Sequence, residues 1–406
     1  MHLDVARLRS HFPALARGVA HFDGPGGSQV PEPVARAVAD TMTSGLSNRG
    51  TVTAAERYAD GVVLAARAAV ADLLGCPAEG VVFARSMTQA TYDLARALSK
   101  QWAADDEIVV TRLDHDANIR PWFAAAQAAG ATVRQAGFDR ATGALSVDDI
   151  AAVLSPRTRL VAVTGASNLL GTRPDIPAIT EAAHAVGALV HVDGVHLTPH
   201  APVSFEDLGA DFYTCSPYKF FGPHHGVLVA APRLLEGIHP DKLLPSSNAV
   251  PERFELGTLP YELLAGTTAA VDFIAELSPA AAGRRARVLE SMRLVEEHEE
   301  QLFDRLLDGL RAISGVTLYG SAGRRTPTAL FGVAGRSPGE VHEHLARLDV
   351  NAPAGTFYAL EAARWIGLGE DGAIRAGLAP YNDTEDVDRL LAGVRELAGR
   401  GVSGRS

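Results

Sequence analysis

Between about residues 60 and 275, short apolar runs alternate with alanine-rich segments of helical period, and few folds accept that pattern. A strand covered on both faces reads as one continuous apolar run. Amphipathic helices between such runs then cover the two faces of a mostly parallel sheet. Seven runs fit strands: "VVFAR" (81–85), "EIVVTRL" (107–113), "TVRQAGF" (132–138), "RLVAVTGAS" (159–167), "ALVHVDG" (188–194), "DFYTCS" (211–216) and "GVLVA" (226–230). Helices are expected over 89–100, 118–129, 147–154 and 175–186. Glycine and proline thin out from 280 to 313, where "RRARVLESMRLVEEHEEQLFDRLLDGLRAI" reads as one or two long charged helices at a hinge. Strands near "VTLYG", "ALFGVAG" and "AIRAGLA", with a last helix from about Thr384 to Leu397, read as a smaller α+β domain. A chain of 406 residues exceeds what one core usually holds. The expected division is an N-terminal segment, 1–20, packing with the small domain, a large domain over 21–280 and a small one over 281–406. The tail "GRGVSGRS" is expected to be disordered.

The formal charge of -11 is spread along the chain, whereas nucleic-acid binding needs concentrated lysine and arginine, so small molecules are the expected partners. No apolar run approaches the length that spans a bilayer, and charges interrupt "MHLDVARLRSHFPAL" where a secretory core would lie, which predicts a cytoplasmic protein without a membrane partner. Two cysteines, Cys76 and Cys215, are too few for a disulfide framework or a cysteine zinc site; they read as reduced, half-buried thiols.

The chain holds 34 arginines and three lysines, yet one lysine, Lys219, stands in the apolar stretch "SPYKFFGP" after an expected strand. Guanidinium stays charged, while a desolvated lysine amine can shed its proton and act as a nucleophile. Asp193 closes the apolar run "ALVHVD" and needs a cationic partner if buried. Two readings stay open: a structural Lys219–Asp193 ion pair, or an aspartate that holds a protonated ring nitrogen while Lys219 binds a carbonyl as a Schiff base, as pyridoxal phosphate requires. Lys100 and Lys242 lie in polar surroundings. Ser86, Thr88 and Gln89 in "RSMTQAT" open a helix after a strand, where they suit either a phosphate or a simple N-cap. His115 in "LDHDANIRPW" is a candidate ring-stacking partner or a structural histidine. Asn168 in "SNLLGT" is a candidate ligand for a ring hydroxyl, or an ordinary turn residue. His191, His196 and His200 with Asp193 lack the spacing of a metal site, and no metal is expected. "FDGPGGSQVP" (22–31) lacks both phosphate-loop fingerprints and reads as a flexible substrate-side loop.

Taken in order, "FDGPGGSQVP", "RSMTQAT", "DHDANIRPW", "SNLLGT", "HVDGVH", "SPYKFFGPHHG", "RFELGTLP" and "IRAGLAPYN" make the chain resemble the class V aminotransferase family, fold-type-I pyridoxal-phosphate enzymes, and within it the cysteine-desulfurase-like branch. The resemblance implies an α/β fold with a seven-stranded sheet in the large domain, and pyridoxal 5'-phosphate as cofactor. It implies that Lys219 carries the cofactor, that Asp193 pairs with its ring nitrogen, and that His115 stacks on the ring. Asn168 and His196 would lie near the phenolic oxygen, and Ser216, Thr88 and Gln89 would take the phosphate. It further implies a homodimer in which Thr258 reaches the neighbouring subunit's phosphate, and Arg375 as the clamp for a substrate carboxylate, with Asn48 and Arg49 of "SNRGT" also on the substrate side. Tyr218 stands where desulfurases usually carry histidine. The segment "VNAPAGTFYALEAAR" (350–364), where their persulfide-forming cysteine is expected, has no cysteine. The expected activity is therefore cleavage of a C–S or related β-bond of an amino acid without a protein persulfide. Transamination, epimerisation and a non-catalytic cofactor-binding role remain as alternatives, while the absent dinucleotide fingerprint speaks against an oxidoreductase.

Overall fold

A computed structural model describes residues 2–278 and 282–399. The expected boundary at 280 and all but the first residue of the tail lie outside these described residues. All seven apolar runs are strands of one sheet: β1 (Val81–Ala84), β2 (Glu107–Thr111), β3 (Thr132–Ala136), β4 (Thr158–Thr164), β5 (Leu189–Asp193), β6 (Phe212–Cys215) and β7 (Gly226–Ala230). Their order is β1-β7-β6-β5-β4-β2-β3. Only β7 runs antiparallel to its neighbours, β1 and β6. Several strands end two or three residues before their apolar-looking runs do, since 112–113, 137–138 and 165–167 turn out of the ladder. Of these turn residues, Ala166 lines a cavity at the carboxyl edge of the sheet.

The helices of the expected set are present, with shifted ends: Met87–Ser99, Arg120–Ala129, Val147–Ala151 and Ile176–Ala185. Three of them begin where local chemistry predicts. Ser86, Ser146 and Asp175 each accept a backbone N–H of the first turn, which satisfies a donor the helix itself leaves open. The charged segment is one helix of 28 residues, Arg284–Arg311. Its first half places Val288, Met292 and Val295 in the core around the large sheet, and its second half places Leu302, Leu306 and Leu310 in a separate core. One apolar stripe at helical spacing thus serves two cores.

The second core belongs to a small domain built on the antiparallel strands β8 (Val316–Tyr319), β9 (Thr328–Val333), β10 (Ala354–Gly355) and β11 (Ala373–Gly377), in the order β10-β11-β9-β8. Helices Pro338–Ala346 and Thr384–Gly399 cover it. Near the N-terminus, Ala20 and His21 pair in parallel with Val350 and Asn351, Arg9 bridges Asp383 and Asp386, and Leu8 and Phe12 enter the large core. Among the described residues no helix is long and apolar enough to cross a membrane.

Candidate active site

The chain leaves β5 at Asp193, which lies in register between Thr164 of β4 and Thr214 of β6. Parallel strands stop together, so the side chains and turns that follow them collect at one edge. Two adjoining cavities open there. The inner one, of about 80 Å³, is lined by Ser86, Thr88, His115, Asn168, Asp193, His196, Ser216, Tyr218 and Lys219, among others. The outer one, of about 570 Å³, shares Thr88, His115, Asn168, Tyr218 and Lys219 with it and adds Asp23, Tyr92, Arg120, Phe357, Tyr358 and Arg375.

Lys219 ends a short turn, Pro217–Lys219, beyond β6 and is almost wholly buried. Burial pulls its amine below the ordinary lysine range, Arg375 adds to that, and Asp193 and Asp23 oppose it. Burial likewise pushes Asp193 up, against the N–H of Val195 and the charge of Lys219. Among the described residues no direct ion pair joins Lys219 to Asp193, so the purely structural pairing is not formed.

The loop at 22–31 is tied down. Asp23 accepts Gly26 and Gly27 N–H groups on its carbonyl, and Ser28 donates its N–H to the Tyr218 carbonyl at 3.0 Å while accepting Phe221 N–H at 2.8 Å. At Gly26 a Cβ would sit 2.3 Å from the Asp23 carboxylate, so a side chain there would displace the group that holds Arg375. Tyr218 is stacked on His224 with centroids 4.7 Å apart.

Ser86 caps helix Met87–Ser99 by accepting Gln89 N–H at 3.1 Å. The N-cap reading is realised, and Ser86 with Thr88 also faces the inner cavity. Gln89 does not line either cavity; its amide donates to Asp93 at 3.4 Å. Gly226 of β7 lets the sheet approach this helix end, because a Cβ would lie 2.1 Å from the Ser86 carbonyl carbon.

His115 accepts Ala117 N–H on Nδ1 at 3.0 Å, and burial with the nearby Lys219 and Arg375 charges lowers its imidazole to about 3. A buried network holds its loop: Asn118 donates to Asp114 at 2.6 Å and accepts the Trp122 indole N–H at 3.0 Å. Asn168 donates its amide to the Phe357 carbonyl at 2.9 Å, which leaves Oδ1 buried without a partner. His196 shares Nε2 with the Thr326 and Thr328 hydroxyls at 3.0 Å each, and its Nδ1 is buried without a partner.

Arg375 on β11 is deeply buried. One terminal nitrogen donates to Asp23 at 2.6 Å, the other to the Asn168 carbonyl at 3.1 Å, and the guanidinium lies 3.8 Å from the Phe357 ring centre. Asp23, Phe357 and Tyr358 line the outer cavity without having been singled out in the sequence, although Asp23 lies in the loop 22–31 read as substrate-side. No local signal marks them, since Asp23 meets Arg375 across 352 positions of sequence. The remaining candidates are not brought to either cavity. Asn48 and Thr258 are exposed, and Arg49 is held by Asp60 at 2.8 Å and Glu252 at 3.2 Å. Arg67 forms a buried bidentate pair with Glu255 at 2.9 and 2.8 Å, and thereby anchors the loop that carries Thr258.

Residues 20–390 match the family model described as aminotransferase class-V. The chain belongs to the class-V aminotransferase family. It is 35% identical over 401 residues to an uncharacterised protein of Mycobacterium tuberculosis, covering 98% of this chain and 100% of that one. A cysteine desulfurase of Klebsiella pneumoniae is 31% identical over 418 residues, covering 98% and 99%. Among solved structures, the apo cysteine desulfurase of Thermococcus onnurineus superposes with a TM-score of 0.88 at 25% identity, covering 98% of this chain and 99% of that one. The cysteine desulfurase CsdA of Escherichia coli gives 0.86 at 26%, with the same coverage. The chain is thus a cysteine-desulfurase-like member of a family of pyridoxal-phosphate enzymes, with its fold-type-I architecture.

Proposed function

We propose that this chain carries pyridoxal 5'-phosphate on Lys219 and acts on an α-amino acid, cleaving a C–S or related bond at Cβ of a cysteine-type or S-conjugated substrate. The observation that carries the reading is the inner cavity, where a buried amine and a buried carboxylate are joined by Asn168 and His196, whose Oδ1 and Nδ1 are buried with no hydrogen-bond partner among the described residues. Each such atom costs free energy until a ligand satisfies it. The set fits the cofactor: Asp193 suits a ring N–H, His115 a ring face, and Ser86, Thr88 and Ser216 with the helix N-terminus suit a phosphate.

When bound, the cofactor supplies an electron sink for the α-carbon of the substrate. The chain supplies the proton traffic. Asp193 keeps a proton at the ring nitrogen, Arg375 orients the substrate carboxylate, and the freed Lys219 Nζ is the base that takes the α-proton. Sulfur then departs from Cβ with the bonding electron pair and takes a proton from solvent. Neither cysteine lines either of these two cavities, and burial pushes both thiols up, Cys76 to about 12, which favours release of sulfur to solution over capture by a protein thiolate. The same reading includes a homodimer in which Thr258 of one subunit completes the phosphate site of the other.

The test is to load the purified protein with pyridoxal phosphate, reduce it with borohydride and map the modified peptide. Amino acids and cysteine S-conjugates are then screened by cofactor absorbance and keto-acid release. Label on Lys219, its loss in Lys219→Ala, and keto acid from an S-conjugate are expected. Label on Lys100 or Lys242, or no response to any amino acid, overturns the reading.

A further inference from the structure

The loop joining β10 to helix Leu360–Trp365 carries two consecutive large residues in the left-handed region, Phe357 at φ 54 and Tyr358 at φ 58. Bulky side chains rarely adopt this conformation, which persists only where the surroundings over-determine it. Here they do. Asn168 donates to the Phe357 carbonyl at 2.9 Å, Asp116 N–H donates to the Tyr358 carbonyl at 2.7 Å, and Arg375 lies on the Phe357 ring at 3.8 Å. Three residues around the site thus hold this loop in a disfavoured backbone state.

Packing does not explain the outcome. A ring that stabilised the fold by burial would be withdrawn from water, but Tyr358 is 76% exposed, its ring 5.6 Å from that of His115. It lines the outer cavity together with Phe357, Tyr92 and Ala117. The charges at this rim are already engaged. Arg120 holds Asp116 at 2.8 Å and Glu361 at 2.8 Å, and Arg375 holds Asp23 at 2.6 Å. Among the described residues that line this cavity, the one cation without an ion pair is Lys219, assigned above to the cofactor, so an acidic side chain would find no free cation at the rim, while a flat apolar group would find the rings of Tyr92, Phe357 and Tyr358. The outer cavity, at about 570 Å³, is also of a size that takes ligands larger than cysteine.

We propose that Tyr358, with Phe357 and Tyr92, forms an aromatic clamp that selects an α-amino acid bearing an aryl group on its side chain. The inference rests on the amino-acid reading above and narrows its substrate class. Tyr358 is a specificity residue: its ring covers the aryl group and removes it from water, and it takes no part in bond cleavage.

The experiment titrates the pyridoxal-phosphate-loaded protein with S-benzyl-L-cysteine, L-phenylalanine, L-alanine and L-aspartate, reading dissociation constants from cofactor absorbance. The two aryl ligands should bind at least about tenfold more tightly than alanine, and aspartate no more tightly than alanine. Tyr358→Ala, at an exposed position that should not unfold the chain, should bring the phenylalanine-to-alanine ratio to within about threefold, while Tyr358→Phe keeps it. Equal binding of alanine and phenylalanine, or a ratio unchanged in Tyr358→Ala, overturns the clamp and leaves the amino-acid reading standing. Absence of any response to all four ligands overturns both.

Discussion

On the proposed reading, Arg375 does two jobs with one side chain, tying the loop of Asp23 to the site and orienting the substrate carboxylate. Its fork bridges Asp23 and the Asn168 carbonyl, and its flat face rests on Phe357, so the guanidinium is fixed before any substrate arrives. Burial pulls its pKa down and Asp23 pulls it back, which keeps the cation in place. A substrate carboxylate held there at one angle would fix the orientation of the α-carbon and so favour loss of the α-proton over other bond cleavage. Lysine would keep the charge and lose the angle, having no planar fork to span two acceptors. Arg375→Lys is expected to lower kcat/KM by at least about tenfold, or 1.4 kcal/mol of transition-state stabilisation, with cofactor binding retained. Steady-state kinetics on the amino acid found in the panel, beside a cofactor titration, measure both. An unchanged kcat/KM would mean that the carboxylate is held elsewhere.

At the scale of the elements, β2 shows how a sheet edge away from the cavity is secured. Glu107, buried at the start of that strand, accepts from Ser155 at 2.7 Å, Arg134 at 2.9 Å and Arg157 at 2.7 Å, and thereby joins β2 to β3 and to the turn before β4. These bonds, that from Ser155 first, hold its carboxyl down at about 2. A carboxyl whose folded pKa lies below its unfolded value of about 4.3 contributes stability above that value and loses it as pH falls toward the folded one. Glu107→Gln should therefore cost about 1–3 kcal/mol at pH 7, with the gap to wild type closing between about pH 4.5 and 2. Urea midpoints of both proteins at pH 7 and pH 3.5 check this; a gap that stays constant would assign the effect to packing. Six of the seven large-sheet strands were legible because two-sided burial writes itself as apolar runs, while the edge strand β3, half exposed, carries a weaker signal. The pair formed by Ala20–His21 and Val350–Asn351 and the strand Ala354–Gly355 were not legible, being two residues long and defined only by partners far away in sequence. The site divides the same way. Lys219, Asp193, His115, Asn168 and Ser86 follow strands and could be found from where the runs end. Asp23, Phe357 and Tyr358 enter by tertiary contact and left no periodic signal.

For the molecule as a whole, the placement of Thr258 bears on how many chains make one site. Thr258 is exposed and lines neither cavity of its own chain, yet its loop is firmly set, since the buried Arg67–Glu255 pair fastens it and Glu255 also accepts Phe83 N–H at 3.0 Å. Nearby in sequence Leu256 is exposed, as are Met42, Val52, Tyr58 and Leu64 on preceding segments. An anchored loop that offers a hydroxyl and apolar side chains to the outside is what an isologous interface would use. If the homodimer is right, light scattering should give twice the chain mass of 42.7 kDa. Thr258→Ala should weaken cofactor binding about tenfold or more, through one lost bond to a charged phosphate, and leave the dimer intact. Mixing makes the prediction sharper. In a heterodimer of Lys219→Ala and Thr258→Ala chains, one site combines both substitutions and the other has neither, so unfolding and refolding the two weak variants together should restore a wild-type affinity class that neither shows alone. Cofactor titration of the refolded mixture reads this directly, and a mixture that only averages its parents would place Thr258 outside the neighbouring site.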